Sequence, residues 1–141
     1  MRRTAGLAIL AEVLRTKAWL PAVVLAVHLL FARVLHAYQA VPALDLAVHG
    51  LGGFAIGYVF DGVLQILGRQ GDARLSGSGR LVLAFALVCT TTVLWELGEV
   101  LSDRILGTGA LLSLENSLLD MLVGIVGGVG YVGWRVLAER S

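Results

Sequence analysis

The sequence predicts an all-α membrane protein: a four-transmembrane-helix bundle with a short N-terminal amphipathic interfacial helix. Composition is the first observation, because 57% of the 141 residues are hydrophobic and 15% are charged, whereas soluble domains carry about 25% charged residues. The second observation is the length of the apolar stretches, or blocks, since a helix needs about 20 apolar residues to cross a hydrocarbon core. Four blocks meet this requirement, and together they leave room for one compact domain. The predicted spans are residues 19–38, 44–67, 81–101 and 114–136.

The first 18 residues predict an amphipathic segment that lies on the membrane surface. Leu7, Leu10 and Leu14 form an apolar stripe at helical spacing, with basic residues around it. Glu12 interrupts the apolar run and a predicted span follows at once, which argues against a cleaved signal peptide. We therefore expect residues 1–18 at the interface and residues 19–141 in the transmembrane domain.

Basic residues determine the predicted orientation. Nine of the eleven lysines and arginines lie at the N-terminus, between the second and third spans, or at the C-terminus. Positive charge near span ends marks the cytoplasmic side, so both termini are expected in the cytoplasm and the chain in the cytoplasmic (inner) membrane. The basic N-terminus then indicates attachment to lipid rather than to nucleic acid. The nine residues are Arg2, Arg3, Arg15, Lys17, Arg69, Arg74, Arg80, Arg135 and Arg140.

Small residues predict how the spans pack. Gly53 and Gly57 are four residues apart in the second span, and Gly124 and Gly128 are four apart in the fourth. Such pairs let helix backbones approach closely in a membrane. We expect close contact at these faces, either within the chain, in a homo-oligomer or with another membrane protein.

Polar residues occur in pairs near the outer ends of three predicted spans. The members of each pair are three or four residues apart, so they share a helix face. An ionisable side chain that faces hydrocarbon costs at least about 2.5–3.5 kcal/mol, and these faces are therefore expected to point into the bundle. The pairs are Asp45 and His49, Glu96 and Glu99, Glu99 and Asp103, and Asn116 and Asp120.

The first span and the inner half of the bundle carry fewer polar groups. Arg33 is expected at the same outer level as the pairs, and His28 nearer the midplane as a hydrogen-bonded interior histidine. In the inner half lies Asp61, whose expected partner is Arg69 or Arg80.

The excess of carboxylates at the outer level makes a divalent-cation site a candidate function. Six acidic residues gather there against Arg33 and Arg104, and protonation, histidine, water or a cation must balance the surplus. Carboxylates and imidazoles from several helices are the ligands that metal sites in helix bundles use. The predicted ligands of a divalent metal ion are His49, Glu96, Glu99 and Asp120. Their expected supporting residues are Asp45, Asn116, Arg33 and Arg104.

Three stretches carry a family resemblance. "LDLAVHGLGGFAIGY", "WELGEVLSD" and "ENSLLDMLVGIVGG" resemble the pattern of VanZ-like small membrane proteins, especially the YjdF-type inner-membrane proteins of unknown function. The resemblance covers residues 44–130 and implies a shared polar site. It places that site on His49, Glu96, Glu99 and Asp120.

Three other functions compete with cation binding. Transport or a proton relay is the least favoured, because the inner half offers no continuing polar path beyond His28 and Asp61. A membrane enzyme could use His49 or Glu99 as general base and Arg33 or Arg104 to bind the phosphate of a lipid headgroup. The serines show no nucleophile motif, so the sequence favours a protein that is not an enzyme. In a structural or accessory subunit of a membrane complex, the arginines and carboxylates would instead neutralise one another and fix helix register.

Overall fold

The computed structural model describes residues 2–35, 37–71, 75–107 and 113–140. Most of these residues are helical, and no strand occurs among them. A π-helical turn, Leu30–Val34, follows the second helix directly. The helices are α1 (Arg2–Thr16), α2 (Trp19–Leu29), α3 (Ala37–Ala40), α4 (Pro42–Arg69), α5 (Gly77–Leu106) and α6 (Leu114–Ala138).

Helices α4, α5 and α6 are long and apolar enough to cross a membrane. Each contains one of the last three predicted spans. Serine side chains begin two of them, since Ser76 accepts a hydrogen bond from the Gly79 N–H and Ser113 accepts one from the Asn116 N–H. Helix α5 ends at Gly107, whose left-handed backbone (φ 62°) is the usual helix stop. Glu96 and Glu99 therefore belong to a continuous helix.

The first predicted span, residues 19–38, is divided. Helix α2 has 11 residues, the π-helical turn has five, and α3 starts a separate short helix at Ala37. A π-helical turn accommodates an extra residue and shifts the side chains that follow it. Hydropathy does not detect this change, because the segment is mostly apolar on both sides of it. Among the described residues three candidate spans are found where four were predicted, and the membrane-crossing role of residues 19–38 stays a prediction.

Glycines bring α4 and α6 into backbone contact. A Cβ atom added to Gly53 would overlap the Gly124 carbonyl, and one added to Gly127 would overlap the Gly50 carbonyl. A Cβ on Gly57 would meet the Tyr131 ring at 2.9 Å. The close contact expected at these glycine faces is confirmed, and it lies within the chain.

A buried ionic network joins α4, α5 and α6 near the C-terminal end of α4. Asp61 of α4 has no exposed surface. Its carboxylate accepts hydrogen bonds from Arg80 Nε of α5 at 2.5 Å and from Arg135 Nε of α6 at 3.1 Å. The Tyr131 hydroxyl and the Gln65 amide each donate to it at 2.7 Å. The predicted pairing of Asp61 with Arg80 is confirmed.

Helix α1 is attached to α4 near the same end. Arg69, the other candidate partner for Asp61, instead pairs with Glu12 at 2.7 Å. The Tyr58 hydroxyl donates to the Thr16 carbonyl at 3.2 Å, which holds the end of α1 against α4. The leucines of the predicted stripe remain exposed, as a lipid-facing stripe would be. They are Leu7, Leu10 and Leu14.

Candidate functional site

Helix α4 supplies an acidic residue and a histidine one turn apart. Pro42 occupies the first turn of the helix, and Asp45 follows in that turn, where a carboxylate interacts favourably with the helix dipole. His49 Nε2 lies 3.4 Å from Asp45 Oδ1, and both side chains are 8% exposed. Asp45 therefore determines how the His49 ring is oriented.

Helix α5 places Glu96 against the other ring nitrogen of the same histidine. Glu96 Oε1 lies 3.5 Å from His49 Nδ1, and the Glu96 side chain is 1% exposed. Neither carboxylate oxygen of Glu96 meets the geometry of a hydrogen bond with a described residue, and the neighbouring donor is the buried Ser117 hydroxyl of α6. An unsatisfied buried polar group costs about 1–3 kcal/mol, and a charged one costs more. The buried carboxylate of Glu96 is therefore stabilised if it is protonated or if it binds a cation.

Helix α6 completes the group with Asp120 and Asn116. Asn116 Nδ2 donates to Asp120 Oδ2 at 2.5 Å and lies 3.4 Å from Asp45 Oδ2. The second oxygen of Asp120, Oδ1, is buried and lacks a hydrogen-bond partner in the described part of the chain. Asn116 therefore links the acidic residues of α4 and α6, and it leaves Asp120 Oδ1 available for another ligand.

Three of the four predicted metal ligands lie together. His49, Glu96 and Asp120 each offer a ligand atom, and these atoms lie within 4.8 Å of one another. A second group with the same spacing contains His28, Asp45 and His49. His49 belongs to both groups and so occupies the centre of the polar cluster.

Glu99, the fourth predicted ligand, is oriented toward α2. Its Oε1 lies 3.6 Å from His28 Nε2 and accepts a hydrogen bond from Trp95 Nε1 at 3.1 Å. The Tyr38 hydroxyl lies 3.3 Å from the other ring nitrogen of His28. His28 is thus an interior histidine with polar neighbours, as expected. The sequence indicated no role for Tyr38 here, because a tyrosine near a span end is ordinary at a membrane interface.

The two arginines expected to support the site are absent from the described contacts. Arg104 is exposed in the last turn of α5, and the side chain of Arg33 lies outside the described residues. Among described side chains, no lysine or arginine nitrogen lies within 4.0 Å of a carboxylate of this cluster. Among the described residues, the basic side chains that lie within 4.0 Å of these four carboxylates are the histidines His28 and His49. The four are Asp45, Glu96, Glu99 and Asp120.

Comparison with known proteins identifies the family. The family model described as "Predicted membrane protein (DUF2238)" matches residues 11–140. The chain belongs to the DUF2238 family. This DUF2238 chain is also 30% identical over 114 residues to a protein of Thermotoga maritima whose function is uncharacterised. The match covers 80% of the chain and 57% of that relative, so the chain spans little more than half of the relative's length. No solved structure matches it.

Membership of this family indicates that the chain is a membrane protein, and it does not indicate a function. It agrees with the three long apolar helices of this DUF2238 chain. The family description assigns no chemistry, so the chemical argument depends on the cluster itself. That cluster combines imidazole nitrogen and carboxylate oxygen from three helices, which is a donor set suited to divalent transition metals.

Proposed function

We propose that this protein binds a divalent cation within the membrane through His49, Glu96 and Asp120. The observation that carries the proposal is the set of buried oxygens without hydrogen-bond partners among the described residues: both of Glu96 and one of Asp120. These residues offer ligand atoms within 4.8 Å of one another and of the His49 ring. A divalent cation would neutralise both carboxylates and satisfy their oxygens at once.

The neighbouring residues support this ligand set. A cation at His49 Nδ1 requires the ring proton on Nε2, where Asp45 lies 3.4 Å away and can accept it. Carboxylates that hold a metal-binding histidine in this way are common around metal sites. Asn116 acts similarly on Asp120, since its amide engages Oδ2 and leaves Oδ1 for the cation. The predicted supporting roles of Asp45 and Asn116 agree with these contacts.

The donor set favours Zn²⁺, Mn²⁺ or Fe²⁺ over Ca²⁺ and Mg²⁺. An imidazole suits the transition metals, whereas calcium and magnesium prefer oxygen ligands alone. Three protein ligands would leave a coordination position open to water or to a substrate. Glu99 is the predicted fourth ligand, and its Oε1 contacts His28 and Trp95. Its direct coordination stays a prediction.

Metal titration of the purified, chelator-stripped protein tests the proposal. Zn²⁺ and Mn²⁺ are titrated into the wild type in nanodiscs, and one saturable site per chain is expected. Glu96→Gln should abolish this binding, while Asp45→Asn should weaken it about 10- to 100-fold, as loss of a supporting hydrogen bond usually does. Glu115→Gln is the matched control, because Glu115 is exposed at the start of α6. Equal binding by Glu96→Gln and Glu115→Gln would refute the proposal.

We also propose how the chain sits in the membrane. The arginines of the Asp61 network and the pair of Arg69 with Glu12 of α1 lie at one end of the bundle, and the His49 cluster lies toward the other. With the positive-inside bias, this arrangement supports cytoplasmic termini and a cluster in the outer half of the inner membrane. Labelling of single cysteines near the two termini, in a Cys89→Ala background, tests this orientation in intact cells.

The closer kinship with VanZ-like and YjdF-type proteins stays a prediction.

A further inference from the structure

An open, basic cavity lies at the end of the bundle opposite to the His49 cluster. Its volume is about 920 Å³, and it follows the last two turns of α4, from Gly62 to Arg69. Ser76, which caps the start of α5, and Arg135 of α6 line its other sides. Because α4 ends and α5 begins here, a bilayer crossed by these helices would place its headgroups at this cavity.

Two arginines of the lining are paired but keep hydrogen-bond donors. The Asp61 carboxylate pairs with Arg80 and Arg135, and Glu139 pairs with the same two arginines. These two positive and two negative charges balance. A guanidinium carries five N–H donors, and each arginine uses only Nε and Nη2 in these contacts. The Nη1 group of each arginine therefore has no hydrogen-bond partner in the described part of the chain.

Lys17 supplies a positive charge that is not balanced. Its Nζ lies 4.7 Å from the centre of the Tyr58 ring, and no carboxylate of a described residue lies within 4.0 Å of it. Arg69, the remaining basic residue of the lining, pairs with Glu12 at 2.7 Å. The described lining and its ion-pair partners therefore carry one positive charge in excess, and that charge is on Lys17.

Gly62 determines where this lysine lies. A Cβ atom added to Gly62 would lie 2.7 Å from both Cδ and Cε of Lys17, so the lysine side chain crosses α4 at this glycine. The ammonium group is held further by its cation–π contact with Tyr58. Lys17 is thus positioned at the cavity before any ligand binds, which lowers the entropic cost of binding.

We propose that this cavity binds one phosphate group, of a lipid headgroup or of dissolved phosphate, through Lys17 and the unengaged N–H groups of Arg80 and Arg135. A phosphodiester carries a single negative charge, which matches the single positive charge in excess. Lysine and arginine are the side chains that proteins use to bind phosphate. Basic pockets between membrane helices on the cytoplasmic side bind anionic lipid headgroups in the same way.

This phosphate site is separate from the proposed cation site. Gly62 lies thirteen residues from His49 on α4, or about 20 Å along the helix. Its charge is also of the opposite sign, since the described His49 cluster has an excess of carboxylates. Failure of metal binding would therefore leave the phosphate site unaffected.

Lipid and phosphate titrations of chelator-stripped protein test the proposal. Native mass spectrometry in a non-ionic detergent counts the phosphatidylglycerol molecules bound to each chain, and one saturable lipid is expected. Lys17→Gln should weaken this binding at least about tenfold, because a charge-assisted hydrogen bond is lost. Lys17→Arg keeps the charge and should retain the binding. Calorimetry with inorganic phosphate identifies the source: binding that is lost in Lys17→Gln would indicate dissolved phosphate, and no binding would indicate the lipid headgroup.

Two further variants separate this site from general attraction between charges. Arg140→Gln is the matched control, because Arg140 is exposed near the same end of α6 and lies outside the lining. Gly62→Ala changes no charge but displaces the Lys17 side chain, so it should also weaken lipid binding. Equal losses in Lys17→Gln and Arg140→Gln would overturn the proposal. So would a wild type that binds neither probe, or one that binds both no better than Lys17→Gln does.

Discussion

At the scale of single residues, Glu96 combines deep burial with an unsatisfied carboxylate. Its side chain is 1% exposed, and the closest described basic atom is His49 Nδ1 at 3.5 Å. Burial of an ionised group is costly unless it is paired or bound to a metal. Sequence spacing predicted this residue, because Glu96 falls inside a membrane-crossing helix where a carboxylate facing lipid would be unfavourable.

The stability of Glu96→Gln should depend on the metal. Without a cation, the neutral amide removes an uncompensated carboxylate, so the variant should be as stable as the wild type or more stable by about 1–3 kcal/mol. With saturating Zn²⁺, the wild type should gain stability by ligand binding and the variant should not. Thermal unfolding followed by helicity, with and without chelator, measures both effects. A destabilised variant under both conditions would contradict this expectation.

Glu99 shows what residue spacing could not predict. Positions three apart on an α-helix share a face only approximately, because they differ by about 60° around the axis. Glu96 therefore faces α4 and α6, while Glu99 faces His28 of α2. The sequence identified both carboxylates, but their separate partners depend on which helices are neighbours. That information comes from packing and not from spacing.

At the scale of helices, hydropathy predicted α4, α5 and α6 but placed several of their ends too early. The third predicted span ended at residue 101, whereas α5 continues to Leu106. A residue count based on the thickness of the bilayer gives only the length of helix inside the hydrocarbon core. The helix can extend beyond that core until a stop signal occurs in the sequence. Gly107 supplies that signal. The division of residues 19–38 had no equivalent signal in the sequence.

The contact between α4 and α6 should be sensitive to a single methyl group. Gly53→Ala places a Cβ atom against the Gly124 backbone, and overpacking of this kind costs about 1–3 kcal/mol, or more where backbone must move. Gly130→Ala should be neutral or stabilising by up to about 1 kcal/mol, because alanine favours a helix where space is open. Thermal unfolding of both variants in the same detergent compares them. Equal stabilities would show that the two helices do not pack this closely.

At the scale of the whole molecule, two polar centres occupy different ends of the bundle. His49 and Asp61 are twelve residues apart on α4, or about 18 Å along the helix. The Asp61 centre has arginine partners from α5 and α6, whereas the described contacts of the His49 centre include no arginine or lysine. The first centre is therefore balanced in charge and structural, and the second is the one suited to a cation.

Loss of the balanced centre should reduce stability. Asp61→Asn removes the partner of Arg80 and Arg135 and should cost about 2–3 kcal/mol, less than the 3–5 kcal/mol of a fully buried pair because both arginines are partly exposed. Glu139→Gln should cost less than about 1 kcal/mol, since Glu139 is 43% exposed. Thermal unfolding of the two variants measures this difference. A larger loss of stability in Glu139→Gln than in Asp61→Asn would contradict the central position given to Asp61.

Elemental analysis of protein purified without chelator tests the central claim most directly. The wild type should contain about one divalent transition metal per chain, held by the three ligands proposed here. Asp120→Asn, which keeps the size of the side chain but removes its charge, should contain almost none while retaining its helicity. Equal metal content in the wild type and Asp120→Asn, at any level including zero, would contradict a cation site at His49, Glu96 and Asp120.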